Sequence, residues 1–161
     1  MVKTIKRPTI ETMKHINRIT LIFISCLLCA CAGTPPKSIT QPQSLQPCPS
    51  SPNCVSSYAE KNDAHYIAPL DSKLSIEEKL TRMHRLLSAK SNIAITQKEK
   101  GYLRAEVTSS FWGFVDDLEF LFTPEQIFMR SASRLGYSDF GVNRRRLEAI
   151  RSEFKADLLE P

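Results

Sequence analysis

The chain has 161 residues, of which 42% are hydrophobic and 24% are charged, and its formal net charge is +5. That length suits one small folded domain with additional segments. Residues 1–30 contain five Lys or Arg and one acidic residue, so they carry four of the five net charges. The remainder is nearly neutral, which excludes an argument for nucleic-acid binding from overall charge.

The first thirty residues have the pattern of a secretory signal, a basic region followed by a short apolar core. The apolar run, residues 19–30, is too short to cross a bilayer as a stable helix, which needs about 20 residues. Met13 is an alternative start that also leaves a compact signal.

The end of the apolar run resembles the lipobox of bacterial lipoproteins, with Leu28 three residues before Cys31 and the small Ala30 directly before it. The resemblance implies that Cys31 receives a diacylglycerol and becomes the acylated N-terminus, with fatty acids such as palmitate, after cleavage. It also implies that Ala32, which is not Asp, favours the outer membrane, with the domain facing the periplasm. The alternative is an ordinary signal peptide whose cysteines are small apolar residues.

Residues 32–47 are rich in Pro, Ser, Thr and Gln and contain few apolar side chains. Such a segment cannot bury enough surface to offset the entropy lost on ordering. We therefore expect residues 31–47 to form a lipidated cysteine and flexible tether, and residues 48–161 to form a single domain.

Hydrophobic periodicity predicts the elements of that domain. A short strand is expected at 65–70, and a helix after Ser75, which can form a capping box with Glu78. Further strands are expected at 92–96, 103–107, 118–122 and 127–133. A last helix is expected to begin near Asn143, as its cap, with one apolar face formed by Leu147, Ile150, Phe154 and Leu158.

The predicted order is therefore a strand, a helix, four strands and a helix. Consecutive strands joined by short turns pair antiparallel. We predict an α+β fold, with an antiparallel sheet of about four to five strands and two helices packed on one face. A curved sheet that grips one helix is the alternative.

Three stretches of this domain carry a family resemblance: CPSSPNCVSS (48–57), FWGFVDDLEF (111–120) and RSASRLGYSDFGVNRRR (130–146). Together they resemble the bacterial and plastid family known as domain of unknown function 1499, over roughly residues 47–158. The resemblance supports the domain boundaries and implies no particular activity.

Cys48 and Cys54 remain after the signal and the lipidated cysteine are set aside. In the periplasm, disulfides form and persist, so the favoured interpretation is a structural disulfide at the start of the domain. A metal site with His65 and His84 and a redox-active pair are the alternatives, but neither has the usual Cys-x2-Cys spacing.

A stretch rich in arginine and serine, residues 130–146, precedes the last helix and contains most of the candidate ligand-binding residues. Free N–H groups and the positive dipole at a helix N-terminus favour anions, and arginine binds carboxylate or phosphate in a bidentate way. The candidates are Arg130, Arg134, Asp116, Asp117, Ser131, Ser133, Asp139 and Asn143. The alternative is a structural network, in which Arg130 and Arg134 pair with Asp116 and Asp117 across neighbouring strands.

The sequence contains no arrangement of residues that indicates a particular catalytic mechanism. Asp116 and Asp117 are adjacent, so on a strand they point to opposite faces and make a poor catalytic pair. There is no Ser-His-Asp order, phosphate loop or metal-ligand helix, so we assign no catalytic residue, cofactor or metal. Phe111, Trp112 and Phe114 are expected to pack in the core, with a pocket lining as the alternative.

These observations favour a membrane-anchored envelope lipoprotein with a non-catalytic domain. The domain is expected to bind a small anionic or amphiphilic ligand, or an envelope partner. The alternatives are a hydrolase-like enzyme that uses the Asp, Arg and Ser residues of the same stretch, and a purely structural envelope protein, for which a large exposed apolar patch would be the sign.

Overall fold

The computed structural model describes residues 33–35, 44–110 and 112–158. The predicted signal, Cys31 and Phe111 lie outside these residues. Within them, no helix is both long and apolar enough to span a bilayer.

The described chain forms an open antiparallel sheet with two helices, which confirms the α+β prediction. The elements in chain order are β1 (Cys54–Ser56), β2 (Leu70–Asp71), α1 (Ile76–Ser88), β3 (Ile93–Glu99), β4 (Tyr102–Thr108), β5 (Val115–Phe122), β6 (Gln126–Ser133) and α2 (Val142–Asp157). The strand order is β1-β6-β5-β4-β3, and β2 also pairs with β6.

The sheet has six strands in this part of the chain, slightly more than the four to five predicted. β1 and β2 pair with opposite ends of the same edge of β6, at residues 130–132 and 126–127. Each has only two or three residues, which is too short for alternation to be visible in a sequence. Of the strand expected at 65–70, only Leu70 lies in a named strand.

Both helices begin for identifiable reasons. The Ser75 side chain accepts a hydrogen bond from the Glu78 N–H while Glu78 reaches back to the Ser75 N–H, so the predicted capping box is formed. α2 instead follows Gly141, which has a left-handed backbone (φ 76°) and no capping side chain. Asn143 is therefore inside α2, and the expectation that it is the cap was wrong.

The helices cover one face of the sheet, here called the inner face, and bury the hydrophobic core there. Because side chains alternate along a strand, β4 contributes Leu103, Ala105 and Val107 to this face, and β5 contributes Leu118, Phe120 and Phe122. The helices add Leu80, Met83, Leu87, Leu147, Ile150 and Phe154 to the same cluster.

The opposite, outer face carries polar and aromatic side chains, and the segment before β1 lies over part of it. Leu45 is buried against Tyr102 and Leu121, and Phe128 packs beside them. Leu45 lies in the segment that the sequence places in the tether, yet it is packed on the domain.

Candidate functional site

The candidate residues lie on both faces of the sheet and so form two clusters. Asp117 and Arg130 are on the outer face, where Arg134 joins them just after β6. Asp116 is on the inner face, with Ser131, Ser133 and Asn143 around it. Asp139 lies in the loop between β6 and α2.

An ion-pair network occupies the outer face, and Asp117 is at its centre. Arg134 makes a bidentate contact with Asp117, with Nε–Oδ2 and Nη2–Oδ1 distances of 2.9 and 2.8 Å, and it also pairs with Glu106. Arg104 Nη2 donates to Asp117 Oδ1 at 2.8 Å. Burial raises the pKa of Asp117, but hydrogen bonds from Arg134 and Arg104 outweigh it and hold that pKa below its usual value.

Glu119 is a second carboxylate on the outer face, where it lies two residues after Asp117 on β5. Arg130 Nη1 donates to Glu119 Oε1 at 2.7 Å, and the Tyr102 hydroxyl donates to Glu119 Oε2 at 3.1 Å. Arg130 Nη2 also donates to the carbonyl of Pro47 at 3.3 Å, in the segment that crosses this face. Burial, with Glu119 next to the hydroxyl, raises the pKa of Tyr102.

Charges within this outer-face network are matched. Its members are Tyr102, Arg104, Glu106, Asp117, Glu119, Arg130 and Arg134. Three guanidinium groups face three carboxylates, and each arginine already pairs with at least one of them. A buried arginine that is paired in this way has little free charge for an external anion, so the geometry favours the structural interpretation of Arg130 and Arg134.

The predicted cross-strand pairs formed only in part. Arg134 does pair with Asp117, but Arg130 pairs with Glu119, and Asp116 pairs with Arg146 of α2. Glu119 and Arg146 were not among the sequence candidates. The alternation of charged residues along β4 and β5 was the available signal for Glu119, whereas the contact of Arg146 depends on how α2 packs.

The inner-face cluster ties α2 to the sheet. Arg146 Nη2 donates to Asp116 Oδ2 at 2.6 Å, and Arg146 Nη1 donates to Asn143 Oδ1 at 2.7 Å. The Asn143 amide, which is fully buried, donates to the carbonyl of Asn53 and to Ser133 Oγ, both at 3.0 Å. Ser131 donates its hydroxyl hydrogen to Asn143. These contacts join three parts of the domain, which are the segment before β1, strand β6 and helix α2. They also satisfy the hydrogen-bonding capacity of buried polar groups.

The N-terminus of α2 already has a carboxylate beside it. Asp139 Oδ1 accepts from the Gly141 N–H at 3.0 Å, and Oδ2 accepts from the Asn143 N–H at 2.7 Å. Burial raises the pKa of Asp139, but these two backbone donors outweigh it and hold the pKa below its usual value. Asp139 thus takes the position at which the sequence predicted an external anion.

The remaining arginines of α2 bind main-chain carbonyls. Arg144 donates to the carbonyls of Tyr66 and Ala64, at 2.8 and 2.7 Å. Arg151, about two turns further along the same face of α2, donates to the carbonyls of Pro69, at 2.8 Å, and Ala68. These two side chains hold the segment between β1 and β2 against α2, and no sequence signal pointed to that role.

Cys48 and Cys54 form a disulfide, with Cα atoms 5.6 Å apart. Because Cys54 begins β1, the bond fixes the segment before it to the edge of the sheet. That segment includes Leu45 and Pro47, which lie over Tyr102 and Arg130. The disulfide therefore holds part of the cover of the outer-face network in place.

The arrangement of His65 offers little for catalysis. Its Nδ1 lies 2.8 Å from the carbonyl oxygen of Cys54, whereas Asp117 is occupied by two arginines. Within the described part of the chain, neither side chain is hydrogen-bonded to a serine hydroxyl. No group of three potential metal ligands occurs in that part of the chain.

Large apolar side chains are exposed together at one end of the sheet. The β4–β5 loop contributes Trp112 and Phe114, the β6–α2 connection contributes Leu135, Tyr137 and Phe140, and α2 contributes its first residue, Val142. The loops lie at the same end of the sheet because β4 ends, β5 begins and β6 ends there, and the Arg134 N–H just after β6 donates to the carbonyl of Val115 at the start of β5 at 3.2 Å. We call these six residues the aromatic end.

The expectation that Trp112 and Phe114 pack in the core was wrong, because Trp112 is 68% and Phe114 44% exposed. Phe140 is 88% exposed and has a φ of 51°, in the left-handed region that a bulky residue rarely adopts. Such strain is often found where side chains serve a function. The sequence showed aromatic residues here but not that they lie outside the core.

Comparison with known proteins places the domain in one family. The family model described as Protein of unknown function (DUF1499) matches residues 44–154, which include all six strands and most of α2. No curated protein and no solved structure is a match to the chain. The family match covers more than half of the sequence, so the chain belongs to the DUF1499 family.

Proposed function

We propose that the protein is an envelope lipoprotein, anchored through a diacylglycerol on Cys31 to the outer membrane and facing the periplasm. Its DUF1499 domain is a non-catalytic binding module for an amphiphilic ligand or partner. The observation that carries the binding role is the aromatic end, where six large apolar side chains are exposed on two loops and the first residue of α2, at one end of the sheet. Clustered exposure of this kind is typical of interaction surfaces.

The electrostatics favour an amphiphile over a small anion. The arginines of the outer-face network are paired with carboxylates, and Asp139 lies at the N-terminus of α2. An external anion would have to displace these internal carboxylates from buried positions, which is costly. An amphiphile could bind the exposed side chains of the aromatic end without displacing a buried carboxylate.

The hydrolase alternative has less support. A hydrolase needs a nucleophile within hydrogen-bond reach of a base that a third group orients. His65 is instead hydrogen-bonded to a backbone carbonyl, and Asp117 is held by Arg104 and Arg134.

The test is mass spectrometry of the full chain, expressed in a Gram-negative host and extracted from its membranes. Intact mass should show acyl chains on Cys31, and Cys31→Ser should abolish them. Native mass spectrometry should show a co-purifying amphiphile on the wild type that the double variant Trp112→Ser/Phe140→Ser loses.

Leu158→Ser is the matched control, because Leu158 is an exposed apolar residue just beyond α2. It should retain the amphiphile. An unmodified Cys31 would contradict the anchor. Equal amphiphile binding by the wild type, the double variant and Leu158→Ser would contradict the role of the aromatic end. Ester hydrolysis by the wild type that a folded Asp117→Asn variant lacks would favour the enzyme instead.

A further inference from the structure

The aromatic end lies where the chain arrives from the proposed lipid anchor. Gly33, only two residues after Cys31, is described by the structure and packs at this end. A Cβ built on Gly33 would lie 2.8 Å from Cβ of Arg134 and 3.4 Å from Cγ of Leu135. Leu135 is itself a member of the aromatic end.

Chain geometry limits how far the acyl chains can be from this surface. Two residues span at most about 7 Å even when fully extended. A diacylglycerol on Cys31 would therefore be attached to the chain within about 7 Å of Gly33, which lies beside Arg134 and Leu135. The membrane surface and the aromatic end would then be close to each other whatever the path of residues 36–43.

The composition of the aromatic end suits a lipid–water interface. Tryptophan and tyrosine are enriched at that depth of a membrane, because their rings are apolar and carry one polar group. Residues 108–114 and 134–142 contain one acidic residue, Asp139, and both of its carboxylate oxygens accept backbone N–H bonds. The exposed Arg145 nearby adds a positive charge, which is attractive to anionic headgroups.

We propose that the aromatic end is a membrane-docking surface, which inserts its side chains into the bilayer interface that holds the Cys31 lipid. This inference rests on the proposed lipid anchor and names the amphiphile bound by the domain as the bilayer itself. The sheet then stands on the membrane with its β4–β5 and β6–α2 loops downward. The opposite end of α2 and the β5–β6 turn face the periplasm.

The chain contains a built-in probe of this orientation, because Trp112 is its one tryptophan and belongs to the aromatic end. The acylated full-chain product is reconstituted into vesicles of phosphatidylethanolamine and phosphatidylglycerol, and its tryptophan emission is recorded. If the aromatic end is docked, the emission of Trp112 should be blue-shifted relative to that of a tryptophan exposed to water. Its intensity should also fall when the same lipids carry brominated acyl chains. Tyr137→Ser/Phe140→Ser should reduce both effects.

The matched control moves the probe to the other end of the molecule. In Trp112→Phe/Leu158→Trp, the tryptophan lies sixteen residues beyond Val142, about 24 Å along the helix axis. The same vesicles should leave its emission unshifted and unquenched. The control protein is attached to the membrane through the same lipid on Cys31. A difference in quenching between the two tryptophan positions therefore reports docking of the aromatic end and not attachment alone.

Three other outcomes are distinguishable. If intact mass shows acyl chains on Cys31 but brominated lipids quench neither tryptophan, docking is overturned and the lipoprotein anchor stands. Equal quenching of both probes would also overturn the proposed orientation. If Cys31 carries no acyl chains, the proposed function fails first, and the basis of this inference is lost with it.

Discussion

Asp116 and Asp117 are consecutive in the chain, yet their carboxylates bind arginines on opposite faces of the sheet. Asp116 pairs with Arg146 of α2, whereas Asp117 pairs with Arg104 and Arg134. The alternation of side chains along β5 separates them. One strand thus connects both polar clusters of the domain, and neither cluster has unpaired carboxylates to spare for a paired-acid mechanism.

The outer-face network should be a strong determinant of stability. Asp117→Ala would remove the carboxylate that pairs with both Arg104 and Arg134, whose side chains are 7% and 5% exposed. Breaking a buried pair by removing one partner typically costs about 3–5 kcal/mol of unfolding free energy. Urea unfolding of the purified protein measures this loss.

Glu153→Ala is the control for that experiment, since Glu153 pairs with Lys90 on the surface. Loss of an exposed pair should cost less than about 1 kcal/mol. Similar losses for the two variants would mean that the outer-face network contributes no more than an ordinary surface ion pair.

The domain should lose stability in acid. The pKa values of Asp117 and Asp139 are lowered in the folded state, so folding favours their charged forms. Their contribution is complete above the unfolded-state pKa of about 4 and is lost as the pH falls through the lower folded values. Unfolding free energies measured from neutral pH downward should therefore decrease below about pH 4.

Asp139→Asn should make that decrease shallower, because the variant lacks one of the carboxylates that must be protonated. Circular dichroism during urea titration at each pH provides the measurement. A slope equal to or steeper than the wild type's would show that Asp139 has no lowered pKa in the folded protein.

Loss of the disulfide should loosen the N-terminal cover of the outer face. Cys48→Ser/Cys54→Ser removes a short cross-link, which is worth about 2–3 kcal/mol in the chain-entropy description. We expect that loss of stability, together with faster proteolysis at residues 44–48, because Leu45 and Pro47 are no longer held on Tyr102 and Arg130. Wild-type protein treated with reductant should behave in the same way, and an unchanged rate of cleavage would contradict this role.

Arg144 should control local order in the segment between β1 and β2. Arg144→Ala removes donors to the carbonyls of Ala64 and Tyr66. Hydrogen bonds from charged groups are worth about 1.5 kcal/mol or more each, so amide exchange in residues 60–68 should become at least about tenfold faster. Hydrogen–deuterium exchange with peptide resolution reports this change.

The neighbouring Arg145→Ala is the matched control, because Arg145 donates to the carbonyl of Phe140 in another loop. It should leave exchange in residues 60–68 unchanged. The same acceleration in both variants would point to a general weakening of α2.

Local patterns were sufficient for the regular elements. Ser75 and Glu78 marked the start of α1, and alternation marked β4 and β5, because a cap and a half-buried strand leave their pattern within a few residues. β1 left no such pattern, since its three residues are defined by pairing with β6. Asn143 looked like a cap, but burial against Asn53 and Ser133 gave it another role.

The amino-acid sequence by itself determined the family, the α+β class and the residue types of the candidate site. Only the tertiary structure decided which charges meet: Arg130 with Glu119, Asp116 with Arg146, and Asp139 with the backbone of α2. It also decided that Trp112 and Phe140 are exposed and that Gly33 lies beside Leu135. These relationships depend on strand register and helix packing between distant residues, which a local pattern does not encode.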